Sequence, residues 1–373
     1  MRIKLKDELK NIIIIAVFIV IIYGIMLANI LVPDSENSYS ERRPLLKAPE
    51  FTMEKFLSGK YFVDYEKYSL DQFIFRDEFR SFKAFTSFNI FNQKDNNSIY
   101  VVDGNINKIE YPLNEKAIIN AANKLNEVYQ KYLKGMNVHY AIIPDKNYFI
   151  AKENGYPAID YDRLLKRMDE NVLNMNYIDL FGILELEDYY MTDIHWRQEK
   201  IIDAARLLME KMGTKKNISD TEYTKKSRYP FYGSYYGQAA LRLTPDTLIY
   251  LTNEMIENAL VYDHIDKTHS KVYLEDKFGT IDSYDLFLSG AKSILTITNT
   301  MAPPENEKEL IIFRDSFGSS IAPLMLEGYS KVTLVDLRYI GTDLLGNYID
   351  FTENQDVLFL LNTMILNNSY MLK

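Results

Sequence analysis

A serine lies at a predicted strand-to-helix turn late in the chain, within the segment Leu310–Gly318. The apolar run that ends at Arg314 predicts a strand, and residues 315–318 predict the turn into a helix. In open α/β sheets, ligands bind outside the carboxyl ends of the strands, where such turns lie. The Ser316 hydroxyl would there be near unpaired N–H groups at the positive end of the helix, which can stabilise an oxyanion. Ser316 is therefore a candidate nucleophile, although a serine that only caps the helix would give the same pattern.

Asp193 and His195 lie just before a predicted helix at 197–212. A serine nucleophile needs a base, and an imidazole base needs a third group that holds its tautomer. Because the two residues are two positions apart at a helix entrance, Asp193 could meet Nδ1 of His195 and leave Nε2 free for Ser316. The alternative is that Asp193 caps the helix and His195 is a packing or surface residue.

The other metal-binding and redox-active residue types are scarce. The chain has four histidines and no cysteine, which excludes disulfides and thiolate metal sites. No two histidines have the i, i+4 spacing of a helical metal site. We expect His139 to pack in a strand and His264 and His269 to lie in a solvated loop, with no metal and no cofactor.

The segments that would position the candidate residues alternate between strand and helix from about residue 98 onwards. The predicted strands are 99–102, 138–144, 177–180, 309–313, 331–335 and 356–361, and the predicted helices are 115–133, 161–174, 197–212, 342–348 and one from 316. This alternation predicts an α/β fold with a parallel sheet that helices cover on both faces.

Two regions depart from this alternation. At about 219–304, strand-like runs at 247–251, 271–274 and 293–297 predict a β-rich insertion within a catalytic domain of residues 98–373. Residues 33–97 predict a polar stalk followed by a pair of amphipathic helices, whose aromatic side chains we expect to form a core.

The N-terminus has a basic tip followed by a long uncharged apolar run, Ile12–Val32. About 20 apolar residues cross the hydrocarbon core of a bilayer, and the positive flank predicts that residues 1–10 are cytoplasmic and the rest is outside. Residues 1–32 therefore predict a transmembrane signal-anchor. The alternative is a cleaved signal peptide, whose apolar region would be about 7–15 residues long with an A-x-A-like site after it. Residues 28–30 supply no such site.

The overall charge argues against one class of partner. The net charge is −9, and no cluster of Lys and Arg interleaves with aromatic residues. Nucleic acid is therefore not an expected partner.

Together, the D-x-H-W motif at 193–196 and the D-S-F turn at 315–317 resemble the DHHW proteins and the AlgX/AlgJ-like polysaccharide O-acetyltransferases, a family with an SGNH hydrolase-like fold. Further stretches support this resemblance: Glu41–Leu45, the region from Phe62 to Asp77, Ile143–Lys146 and Phe231–Ser234. The resemblance spans roughly residues 38–373.

The resemblance implies a flavodoxin-like parallel sheet, circularly permuted so that Asp193 and His195 precede Ser316. It assigns the roles of nucleophile to Ser316, base to His195 and orienting acid to Asp193. The implied candidates for the oxyanion or substrate contacts are Asn362, Arg338, Tyr339, Gly233, Ser234 and Trp196. Asn362 could equally be a strand-ending turn residue, and Arg338 a surface ion-pair partner.

The resemblance also implies a function: an extracytoplasmic enzyme that moves acetyl through a seryl ester onto hydroxyls of an exopolysaccharide or cell-wall polymer. A multipass membrane O-acyltransferase (MBOAT) would supply the acetyl group, and the N-terminal helix would hold the enzyme at the membrane near that partner. A carbohydrate acetyl esterase needs the same triad, so the triad does not separate the two activities. A non-catalytic scaffold of the cell envelope is the alternative from a different class.

Overall fold

The computed structural model describes residues 2–214, 221–302 and 308–373. The chain divides into two compact units. The first contains residues 1–93 and 240–242, and the second contains residues 94–239 and 243–373. The candidate chemistry described above lies in the second unit.

The first unit begins with the long helix α1, Arg2–Leu31. Its apolar part, Leu9–Leu31, is 23 residues long and has no buried residue. At 1.5 Å per residue this part is about 34 Å long, enough to cross the roughly 30 Å hydrocarbon core of a bilayer. Length and composition of this kind suit both a membrane anchor and a signal sequence.

The rest of the first unit consists of short elements. They are β1 (Asn37–Ser38), β2 (Arg43–Pro44), α2 (Met53–Leu57), α3 (Lys60–Asp71) and α4 (Arg76–Phe85), the last continued by a π-helical turn, Thr86–Ile90. Arg43 donates two hydrogen bonds to the Asp71 carboxylate, at 2.8 and 2.6 Å. These bonds lower the pKa of Asp71 to about 2. Arg76 and Arg80 contact Glu41, so two stretches that carried the family resemblance meet in one ionic network.

The prediction that the aromatic residues of α3 and α4 form a core is wrong. Phe62, Phe79 and Phe82 are 56%, 54% and 67% exposed. Among the described residues of this unit only small side chains such as Ala84 are buried. Three short helices offer no second apolar layer that could cover these rings.

The described residues of the second unit contain twelve strands. They are β3 (Ile99–Val102), β4 (Asn105–Lys108), β5 (Asn137–Ile143), β6 (Asn176–Ile178), β7 (Thr224–Phe231), β8 (Asp246–Thr252), β9 (Leu260–Asp263), β10 (Thr268–Ser270), β11 (Ile294–Thr298), β12 (Glu309–Arg314), β13 (Lys331–Val335) and β14 (Gln355–Asn362). Eight of them form one sheet in the order β10-β9-β11-β13-β12-β14-β5-β6. The strands from β13 to β6 in this order are parallel, and β11, β9 and β10 pair antiparallel at one edge.

Helices cover both faces of the parallel part. The helices of this unit are α5 (Glu115–Val128), α6 (Lys146–Ile150), α7 (Tyr161–Asn171), α8 (Ile202–Lys211), α9 (Ser234–Ala239), α10 (Glu254–Asn258), α11 (Gly318–Met325) and α12 (Thr363–Asn367). One core cluster joins the sheet to α8 and α11, and a second joins the opposite face to α5 and α7. All eight residues of β14 are buried because both of its faces are covered, which explains its continuous apolar sequence. The predicted α/β fold with a large, mainly parallel sheet is confirmed.

The segment predicted as a β-rich insertion divides its strands between two sheets. β7 and β8 form a separate hairpin, whereas β9, β10 and β11 extend the main sheet. The ends of this predicted segment, residues 219–220 and 303–304, lie outside the described residues. The strand predicted at 271–274 is wrong, since the structure has β10 at Thr268–Ser270. The strand predicted at 99–102 exists, but β3 pairs with β4 and not with the main sheet.

Candidate active site

The turn that carries Ser316 follows β12, at the carboxyl edge of the parallel strands. Asp315 fixes this turn from within: its Oδ1 accepts the Phe317 N–H at 3.0 Å, and its Oδ2 accepts the Asn362 N–H at 2.7 Å. A Cβ at Gly318 would lie 2.6 Å from Cβ of Arg314, so only glycine allows the chain to turn this closely into α11. The turn thereby leaves Ser316 half-buried while its neighbours are buried.

Asp193, His195 and Ser316 form a continuous chain of hydrogen bonds. His195 Nε2 lies 2.7 Å from Ser316 Oγ, and His195 Nδ1 lies 2.6 Å from Asp193 Oδ1. Because a carboxylate can only accept, Nδ1 carries the imidazole proton and Nε2 is left to accept the proton of the serine hydroxyl. Asp193 Oδ1 also accepts the backbone N–H of His195 at 2.9 Å, which fixes the carboxylate relative to the ring. The structure thus brings the three predicted triad residues together.

Gly233 and Ser234 lie behind Asp193, although we expected them to line the substrate site. The Ser234 N–H donates to Asp193 Oδ2 at 2.5 Å, and the Gly233 N–H donates to Thr192 Oγ1 at 3.0 Å. A Cβ at Gly233 would lie 2.2 Å from the carbonyl oxygen of Thr192. The backbone of these two residues therefore packs directly against the backbone of Thr192 and binds the Asp193 carboxylate. This close packing requires glycine at position 233, because any Cβ there would clash.

Trp196 was expected at the substrate or oxyanion site, but the structure places it beneath the serine turn. It is 0% exposed, so its ring presents no surface to a substrate. The indole Nε1 donates to Ser320 Oγ at 2.8 Å and to the Phe317 carbonyl oxygen at 3.2 Å. Tyr284 Oη also donates to Ser320 Oγ, at 2.9 Å. The tryptophan of the motif therefore ties the His195 loop to the start of α11.

Asn362 lies at the end of β14, next to the serine turn, and is 1% exposed. Its Oδ1 accepts the Met364 N–H and so caps α12, and its Nδ2 donates to the Ile143 carbonyl oxygen. Its link to the serine turn is the backbone bond to Asp315. Its oxyanion role stays a prediction, and the contacts present here are those of a strand-ending cap.

Arg338 and Tyr339 follow β13, on the same edge of the sheet. Arg338 binds the buried Asp336 carboxylate through two bonds of 2.9 and 2.6 Å. Burial alone would lower the pKa of Arg338, but the bonds to Asp336 raise it above its ordinary value. Tyr339 is 49% exposed. Of this pair, Tyr339 is therefore the residue with a free surface for a ligand.

Buried charges lie beneath the serine turn. The Arg314 side chain is fully buried and its Nη1 lies 3.8 Å from Asp336 Oδ2. Burial lowers the pKa of Arg314 and raises that of Asp315. Since unpaired charges are costly in a protein interior, these groups stabilise one another as a cluster that supports the turn.

Two residues next to the Asp193 loop were not among the predicted site residues. Lys146 follows β5 and is 3% exposed, and Asp246 begins β8 and is 9% exposed. Both bind the backbone of residues 190–193. A lysine directly after a buried strand was the available signal for Lys146, whereas no sequence pattern marked Asp246.

The remaining histidines lie away from the triad. Burial lowers the pKa of His139, which bonds Asn137, and that of His264, which bonds Thr296. His269 lies in the edge strand β10. Within the described ranges, no group of three or more His, Asp and Glu side chains is placed to hold a metal ion.

The fold is similar to that of several solved structures. A DHHW family protein from Eubacterium siraeum matches with a TM-score of 0.59 and 21% identity, over 73% of this chain and 93% of that one. Bacillus cereus PatB1, solved with a sulfonyl adduct, matches with a TM-score of 0.55 and 18% identity, over 72% of this chain and 97% of that one. The O-acetyltransferase domain of Pseudomonas putida AlgJ gives a TM-score of 0.43 and 12% identity, over 72% of this chain and 92% of that one. The resemblance predicted from the motifs is confirmed at the level of the fold.

Comparison of sequences adds no closer assignment. No protein-family model matches the chain, and no curated protein matches it.

Proposed function

We propose that this protein is an O-acetyltransferase that transfers acetyl through a seryl ester on Ser316 to hydroxyls of an exopolysaccharide or cell-wall polymer. The observation that carries the proposal is the hydrogen-bonded chain from Asp193 through His195 to Ser316. The family resemblance of the motifs at 193–196 and 315–317 supports transfer to a polymer hydroxyl over hydrolysis.

In the first half-reaction, Ser316 Oγ attacks the carbonyl carbon of an acetyl ester while His195 Nε2 takes the hydroxyl proton. The Asp193 carboxylate stabilises the imidazolium through Nδ1–H and keeps the ring oriented. Collapse of the tetrahedral intermediate breaks the bond to the donor oxygen, and His195 returns the proton to that oxygen. The products are acetyl-Ser316 and the free donor alcohol.

In the second half-reaction, a sugar hydroxyl attacks acetyl-Ser316 and gives its proton to His195 Nε2. The proton then passes to Ser316 Oγ as the seryl ester breaks, which releases the acetylated polymer and restores the enzyme. Water can attack the same intermediate, so the affinity for the acceptor and the exclusion of water set the ratio of transfer to hydrolysis.

Backbone donors at the serine turn support the oxyanion step. No acceptor for the Ser316 N–H occurs among the residues that the structure describes, whereas the Phe317 N–H is bound to Asp315. The first N–H groups of α11 add the positive end of its helix dipole. We propose the Ser316 N–H as one oxyanion donor, with Asn362 as the side-chain candidate.

The proposal extends to topology and location. When the parallel strands are counted from β12, their order β13-β12-β14-β5-β6 matches the flavodoxin-like order 2-1-3-4-5, which supports a circular permutation with an insertion at about 219–304. In that order the switch point lies between β12 and β14, next to Ser316. We also propose that α1 is a single-pass anchor, that the catalytic domain is outside the cytoplasm, and that an MBOAT protein supplies acetyl there.

A sulfonyl fluoride is a suitable probe, because it reacts with activated serines and because PatB1, which shares the fold, carries a sulfonyl adduct. We expect wild-type protein to gain one sulfonyl group at Ser316 and to cleave p-nitrophenyl acetate. Ser316→Ala should lose both reactions, while Ser227→Ala, at an exposed serine in β7, should keep both.

Adding an oligosaccharide acceptor and weighing the products by mass spectrometry separates transfer from hydrolysis. An acetylated oligosaccharide supports transfer. Free acetate as the sole product would make the protein an esterase, and a wild-type protein inert to both reagents would refute the enzyme.

A further inference from the structure

Lys146 is a buried lysine whose bonds converge on the loop of the triad aspartate. Its Nζ donates to the carbonyl oxygens of Ile106 at 2.8 Å, Tyr190 at 2.8 Å and Met191 at 2.9 Å. The Asp193 carbonyl oxygen is a fourth, longer contact at 3.5 Å. An ammonium has three donors, so the three short bonds use all of them.

The Asp246 carboxylate accepts hydrogen bonds from N–H groups of the same loop. Its Oδ1 accepts the Met191 N–H at 3.0 Å, and its Oδ2 accepts the Thr192 N–H at 2.7 Å and Thr192 Oγ1 at 2.6 Å. Lys146 thus holds the carbonyl oxygens of this stretch and Asp246 holds its amides. Because a peptide unit is rigid and planar, holding both ends of successive units leaves the loop little freedom.

We propose that Lys146 and Asp246 act as a pair of positioning residues that fix residues 190–193 and so set the Asp193 carboxylate against His195; the inference rests on the proposed acyl transfer. Neither side chain contacts Ser316 or His195 in the described structure, so both act through the loop.

The free-energy cost of burying the Lys146 ammonium argues against a purely structural role for the pair. No carboxylate of the described residues lies within 4 Å of Lys146 Nζ, so the hydrogen-bond acceptors of the buried ammonium are neutral carbonyl groups. Burial lowers the pKa of Lys146 to about 7, partly offset by the more distant charges of Asp246 and Asp193. The ring of Tyr235 also faces Nζ, at 5.9 Å. An apolar side chain at this position would avoid the cost of burying a charge. It could not donate hydrogen bonds to the three carbonyl oxygens that Lys146 binds.

The test uses full-length protein in detergent micelles and the variants Lys146→Met, Asp246→Asn and the double variant. Matched controls are Lys152→Met and Asp162→Asn, at exposed positions nearby. With p-nitrophenyl acetate, we expect each single variant to lower kcat on the order of 10- to 100-fold, since small displacements of catalytic groups cost that much. KM should stay within about twofold because neither residue touches the substrate. The double variant should lose less than the product of the two single losses, because both residues hold one loop.

A second readout does not depend on activity. The short Nδ1–H···Oδ1 bond between His195 and Asp193 should give a far-downfield proton resonance in wild-type protein. We expect this resonance to shift upfield or broaden in the Lys146 and Asp246 variants and to stay unchanged in both controls. Thr192→Val keeps the shape and removes the hydroxyl, which donates to Asp246 and accepts the Gly233 N–H. It should lower kcat by about fivefold with the fold intact.

The outcomes separate the two proposals. Unchanged kcat and an unchanged resonance in correctly folded Lys146→Met and Thr192→Val would overturn the positioning role. Losses that are fully multiplicative would also overturn it as a joint role. If the wild-type protein is inert to acetyl esters, the proposed function fails, whereas the response of the resonance still decides whether the pair positions Asp193.

Discussion

The imidazole of His195 lies parallel to the phenol ring of Tyr284, with ring centroids 3.8 Å apart and planes 6° apart. The Phe317 ring is a second aromatic neighbour of the imidazole, with ring centroids 4.9 Å apart and planes at 57°. Two aromatic neighbours thus restrict rotation of the imidazole about its own axis. In this plane Nδ1 faces Asp193 and Nε2 faces Ser316, so the stack keeps both hydrogen bonds in line.

Replacing Tyr284 tests the stack. Tyr284→Leu removes the aromatic face, worth about 0.5–1.5 kcal/mol, and should lower kcat about tenfold because His195 gains rotational freedom. Tyr284→Phe keeps the ring and loses only the bond to Ser320, so it should stay within about threefold of wild type. Steady-state kinetics with p-nitrophenyl acetate give both values. Equal losses in the two variants would show that the hydroxyl, and not the stack, matters.

Gly233 should tolerate no side chain. Gly233→Ala would place a methyl group 2.2 Å from the Thr192 carbonyl oxygen, and the loop that carries Asp193 must then move. We expect kcat to fall by about 100-fold and stability to fall by about 1–3 kcal/mol, as for overpacked sites. Kinetics and thermal unfolding measure the two effects. The matched control is Gly341→Ala, where an added Cβ meets nothing within 4 Å and the protein should behave as wild type.

The buried Lys146 predicts how stability changes with pH. Its pKa falls from the ordinary 10.5 to about 7, so the folded protein binds fewer protons than the unfolded chain between those values. The buried charge is fully destabilising below pH 7, and this cost is relieved as pH rises towards 10.5. The Lys146 contribution should therefore increase stability by up to about 1.4 kcal/mol per pH unit in that window.

Thermal unfolding of wild type and Lys146→Met at pH 7–10 isolates this contribution. The stability difference between the two proteins should change with pH, and the Lys152→Met control should follow wild type. A difference that is constant with pH would mean that Lys146 keeps its ordinary pKa.

The fate of the N-terminal helix is measurable. An uncleaved anchor predicts that the cellular protein keeps residues 1–32 and stays with membranes after an alkaline carbonate wash. Ile19→Lys, near the middle of the apolar segment, should weaken retention because a central charge costs about 2.5–3.5 kcal/mol. Glu36→Lys, beyond the helix, should not. A mature protein that begins after residue 32, seen by intact mass, would instead indicate a cleaved signal.

The strands of the sheet and the serine turn were predictable because their physics is local. β5, β12, β13 and β14 are covered on both faces and therefore read as continuous apolar runs. The sharp change from such a run to Asp315-Ser316 marked the turn. The short spacing of Asp193 and His195 likewise showed that the two could meet, although not that they would reach Ser316, which is 121 residues further on.

The site contacts that could not be predicted from the sequence are those between segments far apart along the chain. The bond from the Ser234 N–H to Asp193 spans 41 residues, and that from the Thr192 N–H to Asp246 spans 54. Gly233 was predicted as a substrate contact, and its close approach to the backbone of Thr192 is visible only in the structure. The aromatic residues of α3 and α4 were misassigned for the converse reason: helical spacing predicts a stripe on one face but not whether another layer covers it.

The position of β14 in the main sheet limits when the sheet can form during synthesis of the chain. Among the described strands this one comes last in sequence order, yet it lies between β12 and β5 and is the only described strand that joins the two sides of the main sheet. Until residues 355–362 have left the ribosome, β12 and β5 lack the strand that pairs with both of them. A nascent chain therefore carries Asp193, His195 and Ser316 before it has the strand that joins the two sides of the main sheet.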